Sequence, residues 1–407
     1  MGRKSEHLTD ASGSTVEVYG PEPIRTARPW AARVGGPLAS DPLIERNTRM
    51  HSTLPRATRT LGTVAAALAL SLGTAATSTA APAQVPAASR TAASSDTGLY
   101  GAADPTFDGV YRQGLAIIGL RAVKASVPTS AVSWLVRQQC PNGGFQAYRA
   151  DAAAACDAPN PATFSGPDSN STALAAMALR SVGRTTQATR ATSYLRSLQN
   201  SDGGFAYYKG GSSDVNSTGL AMSALRPQAG STAVAKRLVR ASKYLRAAQF
   251  RCSAPAADQG LLPYQPAGPA NSLASAQAAL GLTTSLPARV RQVSSERLTC
   301  RDGKQVGSVS TRNALLAGIS TTLRAGKGTA PSSVGSGPDI SATAQMAIAL
   351  AGTRQYPGTV RTAVRALKTN AAEYTGTAAD PNPAALGTLL QVAAVTANTT
   401  PSSFGGV

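Results

Sequence analysis

The sequence predicts an all-α protein built as an α/α toroid, with about six inner and five to six outer helices and a small β-hairpin insertion near 284–309. Two repeated patterns carry this expectation. The first is aromatic-Leu-x3-Gln running into Gly-Gly-Phe: WLVRQQCPNGGF at 134–145, YLRSLQNSDGGF at 194–205, and YLRAAQFRC from 244 before an insertion. The second follows each copy of the first and is rich in small apolar residues: PDSNSTALAAMAL at 167–179, SDVNSTGLAMSAL at 213–225 and PANSLASAQAAL at 269–280. Segments 338–350 and 379–393 repeat the second pattern, and 107–120 is a divergent first copy, which makes six. Self-similarity of this kind marks stacked supersecondary units that bury a common core.

The segment before each Gln spaces its apolar residues helically. Ala188, Ala191, Tyr194, Leu195 and Leu198 share one face, with Arg190 and Arg196 opposite. Such a helix is half exposed, and the outer set is expected near 129–139, 186–199, 232–249, 310–324 and 357–369. The second pattern is apolar all round, which suits a helix packed on both sides. The inner set is expected near 108–124, 168–181, 214–226, 270–281, 338–352 and 380–397. Asp168 and Asp214, each followed by Asn and Ser, are preferred residues at a helix start. Gly-Gly-Phe supplies a helix stop, since Gly adopts the left-handed conformation at little cost. Between 284 and 309, alternating Val and polar residues around Asp302-Gly303 predict the hairpin.

Upstream of the repeats, Arg56 and Arg59, the apolar run Leu61–Leu72 and Ser78-Thr79-Ala80 read as a signal peptide over 50–80. Met50 is then the expected start. Residues 1–49 are expected to be a disordered extension or untranslated, 81–104 a disordered linker, and 105–400 the repeat domain. The apolar run is too short to span a bilayer and no transmembrane segment is predicted, so the expected product is secreted.

Cysteine usage agrees with export, because Cys140, Cys156, Cys252 and Cys300 all follow the cleavage site and are even in number. Four cysteines permit three pairings. Cys140 with Cys156 and Cys252 with Cys300 is the favoured one. No CxxC spacing exists, and no metal site is expected. After removal of 1–80 the chain keeps a formal +16, and much of that charge decorates outer helices. No aromatic-basic nucleic-acid motif accompanies it. Both histidines, His7 and His51, precede the cleavage site, so the remaining chain cannot build a Ser-His-Asp or Cys-His site.

The motif at 134–145 and 194–205 resembles the Gln-x3-Gly-x-aromatic repeat of squalene and hopene cyclases. That superfamily includes protein prenyltransferases and is similar in fold to secreted cobalamin carriers of the intrinsic-factor type; the resemblance covers roughly 105–400. It implies that a catalytic acid motif, Asp-x-Asp-Asp, stands at an inner helix start. Here those positions read Asp168-Ser169-Asn170-Ser171 and Asp214-Val215-Asn216-Ser217, and an amide cannot serve as the acid. Trp134 is the one Trp after the cleavage site, which leaves little aromatic lining for carbocations. No catalytic residue is therefore assigned, and an enzyme is the less favoured reading.

The favoured one is a non-enzymatic ligand-binding protein. Loops entering the inner helices are expected at one end of the ring, bringing Phe145, Tyr148, Phe205, Tyr207, Tyr208 and Tyr264 beside Asp168, Asn170, Asp214, Asn216, Asn271, Asp339 and Asp380. Aromatic faces with amides and carboxylates suit a polar small molecule, of which a corrinoid is one; no other cofactor is expected. A second envelope protein or a transporter would complete such a site, since the separate β-domain of the carriers is missing. Two alternatives stay open: a cell-envelope module that binds anionic polymer, and a terpene cyclase-like or polysaccharide lyase-like enzyme using carboxylates.

Overall fold

The structure of the 407-residue chain, a computed structural model, describes residues 8–9, 15–16, 98–160, 163–283, 296–333, 335–396 and 401–406. The expected signal peptide, and all of the expected linker except residues 98–104, lie outside the described residues. In the N-terminal unit, Met1–Arg46, Leu8–Thr9 (β1) pairs antiparallel with Thr15–Val16 (β2). The second unit, Asn47–Val407, holds the helices.

Among the described residues are twelve α-helices. Six form the inner layer: α1 (Gly109–Ala122), α3 (Ser169–Ser181), α5 (Val215–Leu225), α7 (Ser272–Thr283), α9 (Ile340–Ala351) and α12 (Pro383–Val395). Each packs on the next, and α12 packs on α1, so the inner layer closes on itself. Five longer connections form the outer layer: α2 (Thr129–Arg137), α4 (Thr185–Ser197), α6 (Thr232–Ala248), α8 (Thr311–Ala325) and α10 (Pro357–Thr369). The fold is the expected α/α toroid, and all eleven of these helices begin and end within a few residues of the sequence expectation. A five-residue helix, α11 (Ala371–Thr375), is additional.

Burial follows the two patterns. In α3 every residue from Ser169 to Leu179 is buried, whereas α4 buries only Ala188, Ala191, Thr192, Tyr194 and Leu195. The small residues of the inner layer have a purpose at two contacts. A Cβ on Gly119 of α1 would lie inside 3.0 Å of the Gly387 backbone of α12, and one on Gly387 would lie as close to the Leu115 carbonyl. Gly219 of α5 and Gly281 of α7 repeat the arrangement. Glycine is required there because two helix backbones touch with no side chain between them.

The Gln of the repeat is a clamp. Gln139 Nε2 donates to the Gly143 carbonyl at 3.0 Å and to the Gln187 carbonyl of the next outer helix at 2.9 Å. Gln199 does the same to Gly203 and Arg237, and Gln249 to Gly260 and Thr311. One side-chain amide thus ties a turn to the neighbouring repeat. Phe145 and Phe205 are fully buried, which corrects their expected place at the ring mouth. Their own N–H groups donate to Thr172 and Thr218 of the inner helices, both at 2.9 Å.

Both disulfides pair as favoured, Cys140 with Cys156 and Cys252 with Cys300. The second one holds the insertion, where Cys300–Arg301 (β5) pairs with Lys304–Gln305 (β6) around Asp302-Gly303. The expected hairpin is present there; its part from 284 to 295 lies outside the described residues. Two further short ribbons and a bridge precede inner-helix starts: Phe205–Ala206 (β3) with Ser213–Asp214 (β4), Ala330–Pro331 (β7) with Pro338–Asp339 (β8), and a single bridge between residues 263 and 270.

Gly387→Val is expected to lower unfolding stability by about 3 kcal/mol, the upper end of what forced overpacking costs. Gly358→Ala, on α10 with open space around it, is expected to leave stability unchanged or slightly raised. Urea denaturation of both variants checks this, and equal midpoints would remove the ring contact from the account.

Candidate functional site

Successive loops tile one end of the ring. The Val110 N–H at the start of α1 donates to the Ala147 carbonyl, Ser169 of α3 to the Tyr207 carbonyl, and Val215 of α5 to the Tyr264 carbonyl. Each loop is thereby seated on the start of the preceding inner helix. This places Tyr207 and Tyr264 two residues after the buried Phe205 and Leu262, at equivalent points over adjacent helices.

Most of the expected acids at this end are helix caps. Asp168 accepts from the Ser171 N–H at 2.7 Å, Asp214 from Ser217 at 2.6 Å, and Asp339 from Ala342 at 2.7 Å. Asn271 caps α7 through Ala274. Capping by such side chains is worth about 1 kcal/mol each. Asp380 departs from its expected place: it is exposed in a turn where its carbonyl accepts from the Thr377 N–H, and Asn382 caps α12 in its stead. Pro383, at the first helical position, fixes that later start.

Below the caps, the middle residues of the motifs meet. Asn170 Nδ2 donates to Asn216 Oδ1 at 2.7 Å, and Asn216 Nδ2 donates in turn to Gln277 Oε1. Gln277 Nε2 then donates to the Tyr111 hydroxyl oxygen at 3.3 Å. This ladder runs from α3 through α5 to α7 and returns to α1. Because α7 and α1 stand opposite each other in a ring of six, the last bond crosses the lumen. On the remaining side, the Tyr374 hydroxyl bonds to Ser341 and Thr388 on α9 and α12.

The electrostatics follow from dryness. Burial raises Asp168 to about 6 against the pull of its Ser171 hydrogen bonds. Burial also lifts the Tyr207 phenol well above 10, with the Asp168 charge adding to it, and pushes Tyr374 to about 12. Apart from the capping acids Asp168 and Asp214, the site is a set of neutral amides and protonated phenols. Tyr207 lies edge-on to Tyr208, with ring centroids 4.6 Å apart and planes at 88°.

Asp168, Asn170, Tyr207, Tyr208, Asp214, Asn216 and Tyr264 are therefore brought together, as the sequence predicts. Tyr208 is buried within the loop, and Tyr207 and Tyr264 are half-buried. Tyr148 lies beside Gly109 at the start of α1. Sequence reasoning missed Tyr111, Gln277 and Tyr374. Gln277 had a signal, being the one amide inside the apolar run LASAQAALGL. Among the described residues no group of three or more His, Cys, Asp or Glu could hold a metal ion, and no helix is long and apolar enough to cross a membrane.

Residues 169–249 match the squalene-hopene cyclase N-terminal domain. That stretch runs from α3 through α6 and contains Asn170, Asn216 and the 203–205 turn. Similar solved structures include ent-copalyl diphosphate synthase from Streptomyces platensis (17% identity, TM-score 0.45, covering 70% of this chain and 50% of that one). A type II terpene cyclase from Scytonema has 14% identity and a TM-score of 0.41, covering 64% of this chain and 68% of that one. A structure described as a wild-type glycosidase has 15% identity and a TM-score of 0.45, covering 73% and 91%. Among curated proteins no sequence match is found. A shared toroid hosts unrelated activities, so function has to be read from the site.

The raised Asp168 makes a signed prediction. The folded state holds its proton more tightly than the unfolded chain, so Asp168 costs stability as pH rises from 3.8 to about 6. Asp168→Asn keeps a capping side chain. It is expected to reduce the stability lost over that window by on the order of 2 kcal/mol. The remaining loss is assigned in part to Asp108, which burial also raises to about 6. Urea titrations across the window check this, and parallel profiles for both proteins would contradict it.

Proposed function

We propose that the chain is an exported, non-catalytic toroid that binds a neutral, polar small molecule at the loop-covered end of the ring. The observation that carries this reading is the amide ladder: where acid chemistry needs carboxylates, Asn170 and Asn216 stand, and their side chains are bonded to each other and to Gln277. An amide offers donors and acceptors but no transferable proton. Asp168 and Asp214, the acids beside them, are engaged as caps. With Tyr207 and Tyr264 over the rim, the site offers hydrogen bonds and aromatic faces, which is the chemistry of recognition.

The bond between Gln277 and Tyr111 crosses the lumen, which supports a reading with the ligand above the ladder, among the tyrosines. A corrinoid is one candidate of this chemistry, and a hydroxyl-rich cyclic molecule is another. Export is supported by the signal-peptide pattern at 50–80 and by two disulfides, which persist in oxidising compartments.

The test is native mass spectrometry and visible absorbance of the secreted protein, followed by titration with the molecule found and with cyanocobalamin. The expected result is saturable binding with little salt dependence, weakened at least roughly tenfold by Tyr207→Ala and by Tyr264→Ala, the loss of about one ring contact each. Binding indifferent to both substitutions contradicts the reading. So does turnover of an isoprenoid substrate that Asp168→Asn abolishes.

A further inference from the structure

On the outside of the ring, away from the tyrosine end, α6 borders a groove of about 570 Å³ closed by the last residues of α5 and α7 and the first turn of α8. Arg226, Lys243, Arg246 and Arg312 line it together with Leu238 and Val239, and among the described residues no Asp or Glu does. Lys243 and Arg246 are exposed, and Val239 shows 56% of its surface. The groove is firmly held. Arg226 Nε donates to the Gly281 carbonyl at 2.5 Å, and Gln249 fixes α8 to α6 through the Thr311 carbonyl.

The charges are concentrated on one helix. Helix α6 carries Lys236, Arg237, Arg240, Lys243 and Arg246 and no acid. Arg246 also helps depress the basicity of Arg251, after burial. Glu296, near the start of α8, accepts from the Asn313 side chain and remains an anion at that edge. Like charges concentrated around an apolar floor are unfavourable in the isolated protein and favourable against an anionic, partly apolar surface.

We infer that this groove is a docking site for anionic phospholipid at a bilayer surface, with the phosphate among Lys243, Arg246 and Arg312 and the glycerol region against Val239 and Leu238. Charge complementarity selects the headgroup. The exposed valine selects a lipid over a soluble polyanion. The positive end of α8 points the same way. Four cations near an anionic surface raise partitioning roughly a thousandfold over a neutral surface.

The test is co-sedimentation of the full exported chain with phosphatidylcholine vesicles, with and without phosphatidylglycerol. Binding is expected only with phosphatidylglycerol. Lys243→Glu with Arg246→Glu is expected to reduce it at least roughly tenfold, whereas Arg361→Glu with Arg365→Glu on α10, an equal change of net charge at exposed positions, is expected to leave it within about twofold. Val239→Ser is expected to weaken it as well. No binding to phosphatidylglycerol vesicles overturns the proposal, as does equal loss in the two charge-reversed proteins, which marks diffuse attraction. Full competition by inorganic polyphosphate with no effect of Val239→Ser also overturns it, since that describes a site for soluble anions. The far-ultraviolet spectrum of each variant confirms folding, and because all substitutions lie on exposed outer-helix positions the ligand site at the loop end is unaffected by them.

Discussion

Ring closure through bare backbone is the constraint on which the rest of this structure depends. An inner helix such as α3 is apolar on every side and has no stable place unless neighbours cover both flanks. In an open stack the two end helices would expose such flanks to water. Joining α12 to α1 removes both ends at once. Gly119 and Gly387 make that possible, because the final contact has no room for a Cβ. The same need is met inside the ring by Gly219 and Gly281, so the closure uses a contact already present between consecutive repeats.

Closure fixes what the lumen can hold. With six inner helices, residues on opposite walls can meet, and Gln277 and Tyr111 do. Polar groups so placed have to satisfy one another, since an unpaired buried amide costs about 1–3 kcal/mol. The ladder from Asn170 to Tyr111 does this with neutral groups alone. It leaves the acids at the helix starts to cap backbone, and their burial makes the carboxylate form of Asp168 costly near neutral pH. Recognition is thereby moved outward to the loops, whose carbonyls are pinned to the inner helices and whose tyrosines are held at a fixed height.

How much of this was legible in the sequence depends on the range of the interaction. The helix pairs, their order and the caps are local, and each is written in a periodicity or in a single capping residue. Thus α4 and α6 show their buried face in the spacing of Ala188, Ala191, Tyr194 and Leu195 or of Ala241, Tyr244 and Leu245. The role of the repeated Gln was not legible, because its partners, Gln187, Arg237 and Thr311, lie in the next repeat. Phe145 and Phe205 read as mouth residues because a Gly-rich turn suggests solvent; the ribbon after each turn folds them inward onto Thr172 and Thr218. Asp380 resembled the other caps in type, but Pro383 delays the helix and gives the cap to Asn382. Tyr111 sits in the most divergent repeat, and its partner is more than 160 positions away, a pairing no local pattern encodes.

The central claim is that opposite walls of a closed ring touch through side chains, and a double-mutant cycle on Tyr111→Phe and Gln277→Leu tests it most directly. The two residues meet because α1 and α7 stand on opposite walls of the ring. The account predicts a coupling energy of about 0.5–1.5 kcal/mol in the unfolding free energies. Strict additivity of the two substitutions would contradict it.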